Sequence, residues 1–382
     1  MIDRRTLLAR GAAAGALAGF APHMALARTA GDKRLLVLVL RGAVDGLSLA
    51  APVADPAFRN LRAAWLDDYA DAPRLDGMFR LHPALGELAT LYAGGEALVA
   101  HAAATDYRER SHFDAQNLLE SGGLRPFERR DGFLNRLVGL VNSGEMAAVA
   151  LSPAMPLALR GDNPATTYAP STLPEASQGL LDRLPALYGD DPQLSAMWQE
   201  ARELEGLADA SDLGSIRQAR DAGMLAGRML RKDDGARIAM LDVNGWDTHA
   251  SQPRMLQRGF QRLDALVGAF RAEIGSAWRD TLVLAITEFG RTAAINGTGG
   301  TDHGTGSAAV LMGGGVKGRR VIADWPGLAP SQLHEGRDLR PTLSLEALLA
   351  GALSAHFALD AELAMRTLFP GRSTRPIEGL LA

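Results

Sequence analysis

"KRLLVLVLRGAVDGL", residues 33–47, is a near-continuous run of leucine and valine that ends in a glycine-bearing turn. A strand buried on both faces reads this way, so the stretch predicts a central strand of a parallel sheet. Outward from it the chain alternates. "HPALGELATLYAGGEALVAHAAA" (82–104) predicts a helix starting near Pro83, a Gly94–Gly95 break and a strand around 97–101. "SHFDAQNLLESGG" (111–123) predicts a short helix with Ser111 at its N-cap and glycines as its stop. Residues 145–152, 236–243, 281–289 and 307–315 read as strands, 256–274 and 343–356 as helices, and 175–232 as a helical insertion without a convincing strand. Strands alternating with helices imply an α/β fold: a doubly wound, mainly parallel sheet with helices on both faces, forming a single domain over 28–382.

Composition narrows the function. The 382 residues are 47% hydrophobic and 22% charged, with apolar material for a large core. Lysine and arginine total 40 against 44 acidic residues, and no basic, aromatic-interleaved surface is written in the sequence, so nucleic acid is not an expected partner. Cysteine is absent, which excludes disulfides, thiolate metal ligands, iron–sulfur clusters and a cysteine nucleophile. A metal site in this chain must be built from histidine, carboxylates and hydroxyls.

Residues 1–27, "MIDRRTLLARGAAAGALAGFAPHMALA", combine an arginine pair, a short apolar segment rich in alanine and glycine, and a small-x-small ending at Ala25-Leu26-Ala27. This reads as a twin-arginine signal peptide cleaved after Ala27, with the twin-arginine translocase as a partner in export and a periplasmic or extracellular destination. The apolar segment is shorter than the roughly 20 residues that span a bilayer, so no stable membrane span is expected once it is removed. Three basic residues and one acidic residue leave with it, taking the formal charge from −4 to −6.

Five polar clusters follow strand ends: Asp45; Ser111 with His112 and Asp114; Asp247 with His249; Glu288 with Arg291; and Asp302 with His303. In open α/β sheets ligands collect in the crevice outside the carboxyl ends of strands, so all five are candidates for one pocket. In "NGWDTH" (244–249) the carboxylate and imidazole two residues apart suit zinc, manganese or a similar divalent ion, though a capped turn with a surface histidine reads equally well. Glu288 is either a strand end entering solvent or a ligand, and Arg291 is placed to hold an anionic oxygen. "GTGGTDHGTGS" (297–307) reads as a solvated glycine-rich loop or as a ligand loop, with Asp302 as ligand or as the group that orients a ligand imidazole. Asp45 has the alternative of an ordinary turn aspartate, and Ser111 of a plain helix cap. His82, His101, His334 and His356 lack a carboxylate pattern and read as structural.

Together, "LRGAVDGLSLAAPVADPAF", "YRERSHFDAQNLLESG", "GWDTHASQ", "TEFGRT" and "GGTDHGTGSAAVLMGGGVKG" resemble the domain-of-unknown-function 1501 family over about residues 34–370. That family looks like a remote branch of the alkaline phosphatase and sulfatase superfamily. The resemblance implies an exported metal-dependent hydrolase of phosphate or sulfate esters, holding one or two divalent ions (zinc, manganese or calcium) and acting on an anionic small-molecule or glycan ester. It implies Asp45, Asp247, His249, Glu288, Asp302 and His303 as metal ligands, and Ser111, His112 and Arg291 as catalytic groups. Phe289 stands where the superfamily has a ligand histidine, and His112 is a substitute ligand or a nucleophile. The alternative is a non-catalytic envelope binding protein on the same fold.

Overall fold

The computed structural model describes residues 32–141, 148–168, 214–232 and 235–382. The signal-peptide reading of 1–27, and residues 175–213 of the expected helical insertion, lie outside them. In chain order the elements are β1 (Arg34–Arg41), α1 (Gly46–Leu49), β2 (Ala50–Ala51), α2 (Pro56–Leu61), β3 (Arg80–Leu81), α3 (Gly86–Ala93), β4 (Ala97–Ala104), α4 (His112–Ser121) and α5 (Phe133–Val141). There follow β5 (Ala148–Leu151), β6 (Ala165–Tyr168), α6 (Ile216–Arg231), β7 (Ile238–Asn244), α7 (Gln252–Ile274), β8 (Thr281–Ile286), β9 (Ser307–Met312), β10 (Arg320–Ile322), β11 (Leu343–Ser344), α8 (Leu345–Phe357) and α9 (Ala361–Leu368).

One nine-stranded sheet runs β10-β4-β9-β8-β1-β7-β5-β6, with β11 paired to β4. β1 is central, parallel to β7 on one side and to β8 on the other. β9 alone is reversed, lying antiparallel to both β4 and β8, so the sheet is mainly parallel with one inverted strand. The sequence shows β9 as an apolar run but carries no sign of its direction, which is set by the hairpin-like excursion between β8 and β9.

The apolar run of β1 feeds two cores. Leu36, Leu38 and Leu40 pack with α3, α6 and α7 through residues such as Leu88, Leu225, Phe260 and Phe270. Leu35, Val37 and Val39 pack on the opposite face with α5, α8 and α9 through Phe133, Leu349, Leu353 and Leu368. Alternate side chains of a strand point to opposite faces, so both faces of β1 must be apolar, and each such buried side chain contributes roughly 1.5–3 kcal/mol. With both faces covered, polar chemistry is left to the rim. Among the described residues no helix is long and apolar enough to cross a membrane.

Candidate metal centre

Four segments meet at the carboxyl ends of β1, β7 and β8: the turn after β1, the start of α4, the turn after β7, and residues 288–304 after β8. Gly42 starts the first turn at φ +112°, and a Cβ there would stand 2.6 Å from the Asp247 backbone nitrogen. Only glycine lets the β1 and β7 ends approach so closely. Its N–H donates to Glu288 Oε1 at 2.8 Å, tying the β8 end to the same point.

Residues 290–306 fold back on themselves. Gly304 N donates to Gly290 O at 2.8 Å and Gly290 N to Thr305 O at 2.9 Å, while Thr301 and Thr305 are buried. A Cβ on Gly304 would lie 2.4 Å from the Arg291 carbonyl. Glycine here permits close packing of two backbones, so the solvated-loop reading of 297–307 gives way to a folded hairpin that presents His303.

Three imidazoles converge. His303 Nε2 lies 3.0 Å from His112 Nε2 and 3.0 Å from His249 Nε2. Asp247 Oδ1 is 3.2 Å from His303 Nε2, 2.9 Å from His249 Nε2 and 3.6 Å from His112 Nε2. Ligand atoms of His112, Asp247 and His303 all lie within 4.8 Å of one another. Each imidazole has its other nitrogen engaged: His112 Nδ1 by Glu288 Oε1 at 2.8 Å, His249 Nδ1 by Asp302 Oδ1 at 3.2 Å, and His303 Nδ1 by the Arg110 carbonyl at 3.0 Å. A carbonyl only accepts, so His303 carries its proton on Nδ1 and turns a lone pair on Nε2 inward. The carboxylates impose the same tautomer on the other two, because both are held in their acceptor form. Asn296, then His249, keeps Asp302 below the usual carboxylate range. Burial pushes Glu288 up, but the hydrogen bonds from His112, Gln116 and Gly42 outweigh it and leave Glu288 lowered.

Nε2 atoms 3.0 Å apart with both Nδ1 atoms protonated set lone pair against lone pair. Either one ring takes an extra proton or a cation sits among them. Ligands about 2.1 Å from a metal are separated by roughly 3.0 Å in an octahedral and 3.4 Å in a tetrahedral sphere, which is the range of the His303 and Asp247 separations. His112, Asp247 and His303, with a hydrogen-bonded acceptor behind each of the two rings, therefore fit a divalent transition ion, and His249 stands beside them with Nε2 3.0 Å from that of His303. Imidazole nitrogens suit zinc or manganese better than calcium, which takes oxygen ligands.

Protonation is uneven around the cluster. The hydrogen bond to Glu288 raises the His112 pKa above the ordinary imidazole value, while burial and the neighbouring His112 lower that of His303. Burial pushes the Asp247 carboxyl up, but the hydrogen bond and charge of Arg291 hold it below its usual value. Phe289 walls the cluster: its buried ring stacks on His112 with centroids 4.8 Å apart.

Several expected roles change. Asp45 is fully buried, and its carboxylate takes Arg62 Nη1 at 2.6 Å, Gln252 Nε2 at 2.5 Å, Ser48 Oγ at 2.7 Å and the Leu47 amide at 3.1 Å. These donors saturate its oxygens, so Asp45 takes no part in the ligand set and instead caps α1 and neutralises Arg62. Arg291 is 1% exposed and spends its guanidinium on Asp247 Oδ1 at 2.6 Å and on the Thr301 side chain and carbonyl, so it compensates a ligand's charge instead of holding an anionic oxygen. Glu288 and Asp302 act through imidazoles and not directly on the centre. His112, expected among catalytic groups, turns its Nε2 toward His303 and Asp247 in the cluster. Ser111 stands at the α4 N-cap, but its side chain makes no capping bond; it neighbours the Tyr107 hydroxyl, to which the Ser111 amide donates at 3.3 Å.

Sequence reasoning passed over Arg110, whose contribution is a main-chain carbonyl, and Gln116, which donates to Glu288 Oε1 at 3.0 Å. Gln116 had a signal: it lies four residues after His112, on the same helix face. The histidines read as structural are so where buried: His82 and His101 are pushed by burial down to about 4 and His356 to about 3, which keeps all three neutral.

Residues 97–368 match the profile described as "Protein of unknown function (DUF1501)". No curated protein matches at a significant level. Among solved structures the chain is similar to the lipoteichoic acid synthase LtaP from Listeria monocytogenes, at 10% identity over 76% of this chain and 68% of that one, TM-score 0.41. It is similar also to the periplasmic domain of EcEptC from Escherichia coli in complex with zinc (9%, 74% and 73%, TM-score 0.38). A third similarity is to alkaline phosphatase from the Antarctic bacterium TAB5 (13%, 73% and 90%, TM-score 0.37). None of the three bears on the ligand assignments above.

Proposed function

The chain belongs to the DUF1501 family, and we propose that it is an exported metal-dependent hydrolase of phosphate or sulfate esters, with the metal held by His112, Asp247, His249 and His303. The observation that carries this reading is the triple pinning of Nδ1 atoms, which leaves three unprotonated Nε2 atoms within 3.6 Å of the Asp247 Oδ1 carboxylate oxygen. A divalent ion held there supplies a Lewis acid that draws the negative charge of an ester oxygen.

The protein's own groups do the rest. Glu288, Asp302 and the Arg110 carbonyl fix tautomer and ring direction before any substrate arrives, so no reorganisation is needed at the moment of reaction. Arg291 offsets the charge of Asp247 from the buried side. Phe289 keeps water off one flank of His112. In this reading Ser111 is the nucleophile: it precedes a ligand histidine at the start of α4, where the helix dipole favours an anionic oxygen. Export to the periplasm or beyond rests on the arginine pair and small-x-small ending within residues 1–27.

The test is metal analysis of the purified full chain, followed by turnover on a panel of phosphate and sulfate monoesters. Expected are close to one transition ion per chain, its loss in His303→Ala, and turnover that disappears in Ser111→Ala while the metal stays. Well-folded protein that takes up no metal sinks the reading. Bound metal without turnover of any ester converts it to the non-catalytic binding protein, and turnover persisting in Ser111→Ala moves the nucleophile to water.

A further inference from the structure

His303 is held at two points, and both holds lead to one side chain. Its ring Nδ1 meets the Arg110 carbonyl at 3.0 Å, and its own main-chain carbonyl accepts from Arg337 Nη2. Asp338 lies between these two arginines. Its Oδ2 accepts from Arg110 Nε at 2.9 Å and Arg110 Nη2 at 2.8 Å, and its Oδ1 from Arg337 Nε at 3.0 Å. The carboxylate is 0% exposed, so neither ion pair is screened by solvent on its acidic side.

The turn that carries Asp338 is fastened to the His303 hairpin. His334 N donates to Asp338 O at 2.9 Å and Asp338 N to His334 O at 3.0 Å, while Ala293 N donates to the Arg337 carbonyl at 3.0 Å. Thr292 pairs with Asp338 and gives its amide to the Asp302 carbonyl at 2.9 Å, which stitches the turn to the residue before His303. Arg110 has φ +63°, a left-handed state that a bulky residue adopts at a cost and keeps only where its surroundings impose it. Its other acid, Glu335, is 62% exposed and contributes little, so the imposing contact is Asp338.

A carboxylate placed only to neutralise two guanidiniums needs no relation to the centre. Here both arginines end on His303, at the two atoms that decide where the ring stands and how it is turned. Arg110 also precedes Ser111 and His112, so the same grip sets the start of α4. We propose that Asp338 is a positioning residue for the metal centre, fixing the place, rotation and tautomer of His303 through Arg110 and Arg337. The inference deepens the metal-dependent reading and rests on it for metal affinity, whereas the state of the His303 ring is readable without metal. Asp338→Asn exchanges one acceptor for an amide donor that faces a guanidinium, which releases one arginine. A released Arg110 lets its main chain relax and its carbonyl leave Nδ1, and the His303 proton is then free to move to Nε2, the atom an ion needs bare.

The experiment is nitrogen NMR of the imidazoles in the metal-free full chain at alkaline pH, with His303→Gln assigning the signal, beside metal affinity from chelator competition and the urea midpoint. Wild type is expected to hold His303 as the Nδ1–H form, and Asp338→Asn to show mixed tautomers and about tenfold weaker metal binding. Arg110→Lys and the surface change Arg337→Gln should move both readouts the same way by less, and Glu335→Gln should leave both unchanged. A role in stability alone would lower the urea midpoint and leave ring state and affinity of the folded protein as in wild type. That result in Asp338→Asn overturns the proposal, as does Glu335→Gln matching Asp338→Asn. If Asp338→Asn does not fold, wild-type values in both Arg110→Lys and Arg337→Gln overturn it instead. Protein that binds no metal, yet loses its single His303 tautomer in Asp338→Asn, removes the metal reading and leaves the positioning role standing.

Discussion

Replacing Glu288 with glutamine removes one charge behind His112 and little else. The new Oε1 still accepts from His112 Nδ1, Gln116 and the Gly42 amide, which now lie at 2.8, 3.0 and 2.8 Å from the carboxylate. The new amide group faces Thr287 Oγ1, which sits 3.0 Å from Oε2 and sends its own hydrogen to the Leu40 carbonyl at 2.7 Å, so the added donor finds an acceptor. What is lost is the negative charge that makes His112 Nε2 electron-rich. Groups that orient a metal-bound imidazole are worth roughly 10- to 100-fold in metal affinity. Glu288 is buried and lightly screened, so the effect should lie toward the upper end, about 2.8 kcal/mol. Asp302 is more than half exposed, and Asp302→Asn should cost no more than about tenfold. Competition against a fluorescent chelator measures both, with the urea midpoint read alongside to separate folding from binding. If Glu288→Gln binds metal as tightly as wild type, or if Asp302→Asn costs more than Glu288→Gln, Glu288 does not tune the centre and the reasoning fails.

Lowering the pH should weaken metal binding, because protons compete for the same Nε2 atoms; the raised His112 pKa makes that competition set in at a higher pH than for an ordinary imidazole, read as metal content after equilibrium dialysis across a pH series. Metal-free protein should show the converse: the raised His112 pKa contributes stability below 6.5 that fades as pH climbs through the folded value, a decline visible in thermal melts and abolished by added metal. Arg62→Met leaves the buried Asp45 without its cation and should cost about 3–5 kcal/mol in urea unfolding, whether or not metal is present. Gly304→Ala drives a methyl into the Arg291 backbone and should displace His303, lowering metal affinity at least tenfold by the same titration, where an unchanged affinity would show the hairpin gives way freely.

Much of the sheet was legible because its signals are local. The run at 34–41 has no polar residue between its ends, and a strand with two apolar faces has to lie inside a covered sheet. Asp247, His249 and His303 were legible as candidates because they follow strand ends. The division of labour among carboxylates was not. Whether Glu288 or Asp302 touches an ion or a ring depends on side-chain direction, and that is fixed by the 290–306 hairpin, whose pairs are set by packing and not by residue type. Asp45 looked like a ligand because its partner Arg62 lies 17 residues away and burial of the pair is a tertiary event. The Arg110 carbonyl is invisible to sequence reasoning, since every residue has one. The reversal of β9 likewise follows from a chain path and leaves the apolar pattern unchanged.

The two-sided packing of β1 has a consequence beyond stability. Deleting Leu35 would turn Leu36, Leu38 and Leu40 toward the core now filled by Leu35, Val37 and Val39, would send Val37 and Val39 the other way, and would also retract the Gly42 amide by about 3.3 Å from Glu288. Strand alignment and chemistry at the rim are mechanically one variable, so a register error would announce itself as a lost ion long before the chain came apart.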